Sequence, residues 1–128
     1  MIAKKRDVEV EVQAIQVGPV VCLSNPAEYF VSYGLQLKKR SGFPMTFPVE
    51  LANGCVGYVP DEEAFGPHGG GYETRLTSYS NLEITAGTQF MNVGLELAAK
   101  MKPAKLPERP NGPAGKPWAY GDQPPQLK

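Results

Sequence analysis

The 128-residue chain has little of what common catalytic centres are built from. It carries one histidine, one tryptophan and two cysteines. Cys-x-x-Cys, Gly-x-Ser-x-Gly and the phosphate-binding glycine signatures are all missing, which excludes the usual redox, serine-hydrolase and nucleotide-binding motifs. No apolar run approaches the ~18 residues of a membrane span, and the start Met1-Ile-Ala-Lys-Lys-Arg leads into charged residues rather than the apolar core of an export signal. Charge of one sign is absent too. Thirteen Lys and Arg balance thirteen Asp and Glu, and the Lys4-Lys5-Arg6 cluster is too short to make a nucleic-acid or anionic-membrane surface. Cys22 and Cys55 sit in apolar surroundings, Val-Val-Cys-Leu and Gly-Cys-Val-Gly, as expected of buried free thiols.

What is present is glycine, proline and alternating hydrophobicity. Val8, Val10, Val12 and Ala14 alternate with Glu9, Glu11 and Gln13, the two-residue period of a strand, and the pattern slips near Ala14–Val17 as at a bulge. Gly18-Pro19 is turn chemistry, and Val20-Val21-Cys22-Leu23 is apolar on both faces, so a hairpin with a more buried second strand is expected. Asn25, Pro26 and Glu28 spell a helix start: a cap, a proline at the first helical position and a carboxylate able to return to the cap amide. That helix should bury Ala27, Phe30, Val31, Gly34, Leu35 and Leu37, carry Lys38, Lys39 and Arg40 at its negative end, and stop at Gly42. Met45–Leu51 reads as a strand whose Pro48 demands an edge or a bulge. After the Asn53-Gly54 turn, Cys55–Val59 reads as a short strand and Pro60-Asp61-Glu62-Glu63 as a helical turn.

Gly66-Pro67-His68-Gly69-Gly70-Gly71 is a loop, and its histidine reads as solvated, with a substrate-proximal role as the sharper alternative. Phe90, Val93, Leu97 and Met101 give a second helix from Thr85 to before Pro103, with Gly87 and Gly94 marking weakness or close packing. From Pro103 onward seven prolines fall in 26 residues, the composition of an extended tail that builds no core, with Trp118 and Tyr120 as its docking candidates. The expected fold is α/β: a mixed sheet with flanking helices over residues 1–102, one piece of a larger multi-layer domain, and then the tail 103–128.

Asn53, Tyr58, Glu63 and the Tyr72-Glu73 pair, with Phe65 between them, follow the order Asn-x-Tyr-x-x-Tyr-x-Thr-Thr-x-Glu-Glu-Tyr … Tyr-Glu-Gly. Pro26-Ala27-Glu28 stands upstream as a Pro-x-Glu turn. Over residues 8–101 this resembles the C-terminal part of the catalytic domain of neutral, non-lysosomal ceramidases, zinc amidases that cleave the N-acyl bond of ceramide, and in particular their divergent bacterial relatives. The chain departs from that pattern at Cys55, at Pro60-Asp61, in a longer glycine loop and at Thr74.

The resemblance implies Glu28 and Tyr58 as zinc ligands, Tyr72 beside the scissile amide as the catalytic donor, and an N-acyl lipid or other amide as substrate in the parent. It implies secretion or a periplasmic location, although this chain has no signal peptide. The family's two histidine ligands have no counterpart here. The expectation is therefore a fragment, inactive alone and prone to self-association, with Met1 at the start of a truncated or split reading frame. A cation would make a phenolate an acceptable ligand by lowering the phenol's pKa. Without the family, Glu28 is a capping-box residue, Tyr58 a cross-strand aromatic, and the chain a non-catalytic module binding through the loop flanked by Tyr58 and Tyr72.

Overall fold

A computed structural model describes residues 7–108. The Lys4–Arg6 cluster and the tail beyond residue 108, with Trp118 and Tyr120, lie outside the described residues.

The Gly18-Pro19 turn folds β1 (Gln13–Val17) against β2 (Val20–Ser24) as an antiparallel hairpin in continuous register from Gln13 opposite Ser24 to Val17 opposite Val20. No bulge interrupts it, so the slip at Ala14–Val17 simply sets which side chains face the core. Residues 8–12 alternate as a strand would but do not join the sheet. Their partner runs out: β2 ends at Ser24, whose hydroxyl takes the Gln13 amide at 3.2 Å, and the chain then turns away at Asn25. Val10 and Val12 still pack against the core.

The largest correction falls on the first helix. Asn25 is buried and its Oδ1 accepts the Ala27 amide at 3.0 Å, but this closes a turn rather than capping a helix. Glu28–Tyr29 instead form a short strand, β3, parallel to Tyr58–Val59, and the helix α1 begins at Val31 and runs to Arg40. The reason is a competition for amides. Glu28 N donates to the Gly57 carbonyl at 3.0 Å and Phe30 N to that of Val59 at 3.3 Å, so two amides that a helix start would leave open are satisfied across the strand pair. The later start also rotates the buried stripe. Tyr33 and Leu37 are buried, whereas Val31 and Leu35, expected inside, are exposed.

The helix α1 leads into β4 (Met45–Val49), which pairs parallel to β2 from Val20 opposite Met45 to Ser24 opposite Val49. The sheet order is therefore β1-β2-β4, a mixed sheet with Pro48 on an edge strand, where its missing amide does no harm. Leu51 leaves the strand with φ 51°. The expected strand Cys55–Val59 shrinks to β5 (Tyr58–Val59), and Cys55 is exposed rather than buried; both thiols are free. Asp61 caps a 3-10 turn, Glu62–Phe65, by accepting the Ala64 amide at 3.0 Å. A second 3-10 turn holds Tyr72–Thr74, and α2 spans Ala86–Ala99, where the expected helix lies, but its buried stripe runs through Phe90, Met91, Gly94 and Ala98 and leaves Val93 exposed.

The two helices pack together and onto the sheet, where Val21 and Leu23 are fully enclosed. Each such side chain removed from water contributes about 1.5–3 kcal/mol. Tyr29 and Tyr33 stack with ring centroids 4.6 Å apart, and the Tyr29 hydroxyl donates to the Gly87 carbonyl at 2.5 Å. Gly87 lets that stack sit against α2, since a Cβ there would overlap the Tyr33 ring. Among the described residues nothing comparable covers the opposite sheet face. Across the three strands the rows Ile15–Cys22–Phe47 and Val17–Val20–Met45 are apolar throughout, and Ile15, Val17, Met45 and Phe47 are each between 42% and 68% exposed. Among the described residues no helix is long and apolar enough to cross a membrane. The architecture is the expected α/β, with helices on one side of a small mixed sheet.

Candidate functional site

Beyond the carboxyl ends of the parallel strands β2 and β4 the two chain segments stay side by side. Asn25 N donates to the Val49 carbonyl at 3.0 Å, Ala52 N to that of Asn25 at 3.0 Å, and Val56 N to that of Pro26 at 2.8 Å. This ladder carries the chain into the β3–β5 pair, past the strand ends where open α/β sheets place their ligands. There Glu28 stands directly opposite Tyr58. The register puts the carboxylate and the phenol side by side on one face, both half-buried.

Tyr72, thrown back by the glycine loop, closes on the same point. Its ring meets that of Tyr58 edge to face at 5.1 Å and 87°. The three residues singled out in the sequence, one at the start of the supposed helix and two flanking a loop, thus form one cluster. His68 does not distinguish itself in this arrangement; it is exposed in the loop.

A third aromatic was not foreseen. Tyr79 lies 6.1 Å from Tyr58 and 6.5 Å from Tyr72, and its carbonyl accepts the Tyr58 amide at 2.7 Å. That backbone approach is close because Gly57 has φ +82° and no side chain; a Cβ there would overlap the Tyr79 carbonyl. The available signal was Gly57 itself, since a glycine inside a strand pattern marks close approach of another backbone. The segment bearing Tyr79 is pinned by a bridge between Thr77 and Ser80 and by the Ser80 hydroxyl, which donates to the Glu73 carbonyl.

The electrostatics of the cluster favour the protonated phenol. Hydrogen bonding with Tyr72 and then with Glu28 raises the Tyr58 pKa well above the tyrosine range, and desolvation and the charge of Glu28 add to it. A phenol beside a carboxylate donates a hydrogen bond to it while keeping its proton, and losing that proton would put two anions side by side. A cation between them would reverse this preference.

As a donor set, Glu28 and Tyr58 supply two oxygens on adjacent strands, suited in chemistry to a zinc ion but short of a complete site. Among the described residues there is no group of three or more His, Cys, Asp and Glu able to hold a metal. Beside the cluster opens a cleft of about 120 Å³, lined by Tyr58, Val59, Pro60, Phe65, Leu76 and Leu82 among others. Comparison with protein-family models, with curated proteins and with solved structures finds no match to this chain.

Proposed function

We propose that this chain is the C-terminal part of a ceramidase-like, zinc-dependent amide hydrolase domain. The supporting observation is the cluster itself: Glu28 opposite Tyr58, with the Tyr72 ring against Tyr58. Nothing in the strand and helix patterns required residues so far apart in sequence to meet. The apolar sheet face left exposed among the described residues also favours a part of a larger layered domain over a free-standing module, because parallel strands joined through a helix are normally covered on both faces.

In this reading Glu28 and the deprotonated Tyr58 would hold the metal together with imidazoles supplied from outside the chain. The metal, when bound, would lower the pKa of water and polarise the amide carbonyl. Glu28 is placed to accept hydrogen bonds and to help carry away the Tyr58 proton. Tyr72, half exposed and packed against Tyr58, would donate to the carbonyl oxygen as charge builds there. The substrate would be an N-acyl lipid or another amide.

Zinc calorimetry on the purified chain, with Glu28→Ala and Tyr58→Phe alongside and size-exclusion chromatography in parallel, tests the proposal. Weak zinc binding that both substitutions abolish, in a chain that self-associates, is the expected outcome. Tight one-to-one binding that survives Glu28→Ala, or appreciable amide hydrolysis by the chain alone, overturns it.

A further inference from the structure

The cleft beside Tyr58 has a size and a lining that restrict what the site can take. Val59 and Pro60 are buried in its floor, Phe65 and Leu82 are half-buried in its walls, and Leu76, 83% exposed, stands at its mouth. Of its polar lining, the Ser80 hydroxyl is already committed to the Glu73 carbonyl and the Thr74 hydroxyl to the Gly71 carbonyl at 3.1 Å. The carboxylate of Glu83 at the edge disfavours an anionic guest. What remains is a seat for a neutral, apolar group.

Its volume is about 120 Å³. Sites for drug-sized ligands run from about 300 Å³ upward, and an apolar cavity of about 150 Å³ takes a benzene molecule. A long fatty acyl chain exceeds that several-fold and would leave most of its methylenes in water. The geometry points to a compact acyl or aryl group, of benzene size or smaller, as the apolar part of the amide bound beside Tyr58; this rests on the amide-hydrolase reading above. Tyr58 lines the cleft and the Tyr72 ring packs edge to face against it, so an amide anchored there by its apolar group lies beside the phenol cluster.

The test is methyl-resolved NMR of the full chain titrated with benzamide and with the straight-chain primary amides from acetamide to octanamide. Benzamide shifts the methyls of Val59, Leu76 and Leu82 saturably. Along the straight-chain series affinity climbs about fourfold per methylene while the cleft fills, then levels off at about five or six carbons. Leu82→Trp, which fills the cleft, removes the benzamide shifts while the buried Tyr29 and Phe90 ring signals stay in place. Should that variant not fold, Leu76→Ala, altered only at the exposed mouth, weakens benzamide severalfold. An affinity that keeps climbing through octanamide, the lack of saturable binding by any amide, or shifts confined to Ile15, Val17 and Val49 on the bare sheet face overturns the inference. Glu28-dependent zinc binding with a null amide series would remove the cleft's role and leave the metal reading intact. Amide binding without zinc binding would do the reverse.

Discussion

Two glycines in α2 invite the same substitution and should answer it with opposite signs. Both Gly87 and Gly94 are buried in the helix, and exchanging glycine for alanine in a helix interior stabilises by about 1 kcal/mol through backbone entropy. At Gly94 a Cβ meets Leu37 Cδ2 at 3.8 Å and Leu23 Cβ at 4.0 Å, ordinary contacts, so the full gain should appear. At Gly87 it overlaps the outer atoms of the Tyr33 ring. That ring is 2% exposed, lies flat on Tyr29 and has its hydroxyl 3.4 Å from Thr88 Oγ1, so it cannot swing aside without breaking the stack.

Overpacking of this kind costs about 1–3 kcal/mol. The propensity gain is smaller at Gly87, in the first helical turn, and Gly87→Ala should end about 1–2 kcal/mol less stable. Denaturant unfolding of the full chain gives both numbers from the shift in midpoint at constant slope. If the two variants shift in the same direction, the account of how Tyr29, Tyr33 and Gly87 lock α1 to α2 is wrong.

Three further outcomes follow from the same geometry. Tyr29, Tyr33 and Tyr58 all hold their protons above the ordinary tyrosine range, Tyr29 and Tyr33 mainly through burial and Tyr58 mainly through hydrogen bonding with Tyr72. A group that binds its proton more tightly when folded adds stability that is complete below its unfolded pKa of about 10 and is lost as pH rises from there towards the folded value. Unfolding midpoints should therefore fall as pH rises above about 10, and less steeply in Tyr58→Phe; a flat profile refutes it. Gly57→Ala, strained at φ +82° and in collision with the Tyr79 backbone, should cost about 1–3 kcal/mol and loosen the Tyr58–Tyr79 ring contact seen by nuclear Overhauser effects. Phe47→Glu on the bare face should leave unfolding within about 0.5 kcal/mol of the parent yet suppress self-association in sedimentation, and undiminished association would exonerate that face.

Much of the scaffold was legible because its signals are local. Gly18-Pro19 needs only its own backbone to turn, the spacing of Phe90 and Leu97 along α2 needs only a helix, and Pro48 forces an edge strand by lacking an amide. The acids after Pro60 cap their turn through Asp61, three residues from its partner amide. Of the candidate site residues, Glu28 was singled out by resemblance alone and Tyr58 and Tyr72 also as aromatics flanking the glycine loop, each as a separate point along the chain.

Their meeting was a tertiary decision. Asn25-Pro26-Ala27-Glu28 is a sound helix start by every local rule, yet Glu28 became a strand residue because Gly57 and Val59 carbonyls stood ready for its segment's amides. That pairing freed the Glu28 carboxylate from the capping box and set it beside Tyr58. The same event moved the start of α1 to Val31, which selected Tyr33 rather than Leu35 for the core. Tyr79 carries no local mark of its role, because what places it is the space left by the missing side chain of Gly57. The sequence by itself determined the turns, the second helix and the residue types available for a site. Which amides found which carbonyls, and hence which side chains share a face, was settled only when distant segments competed for the same hydrogen bonds.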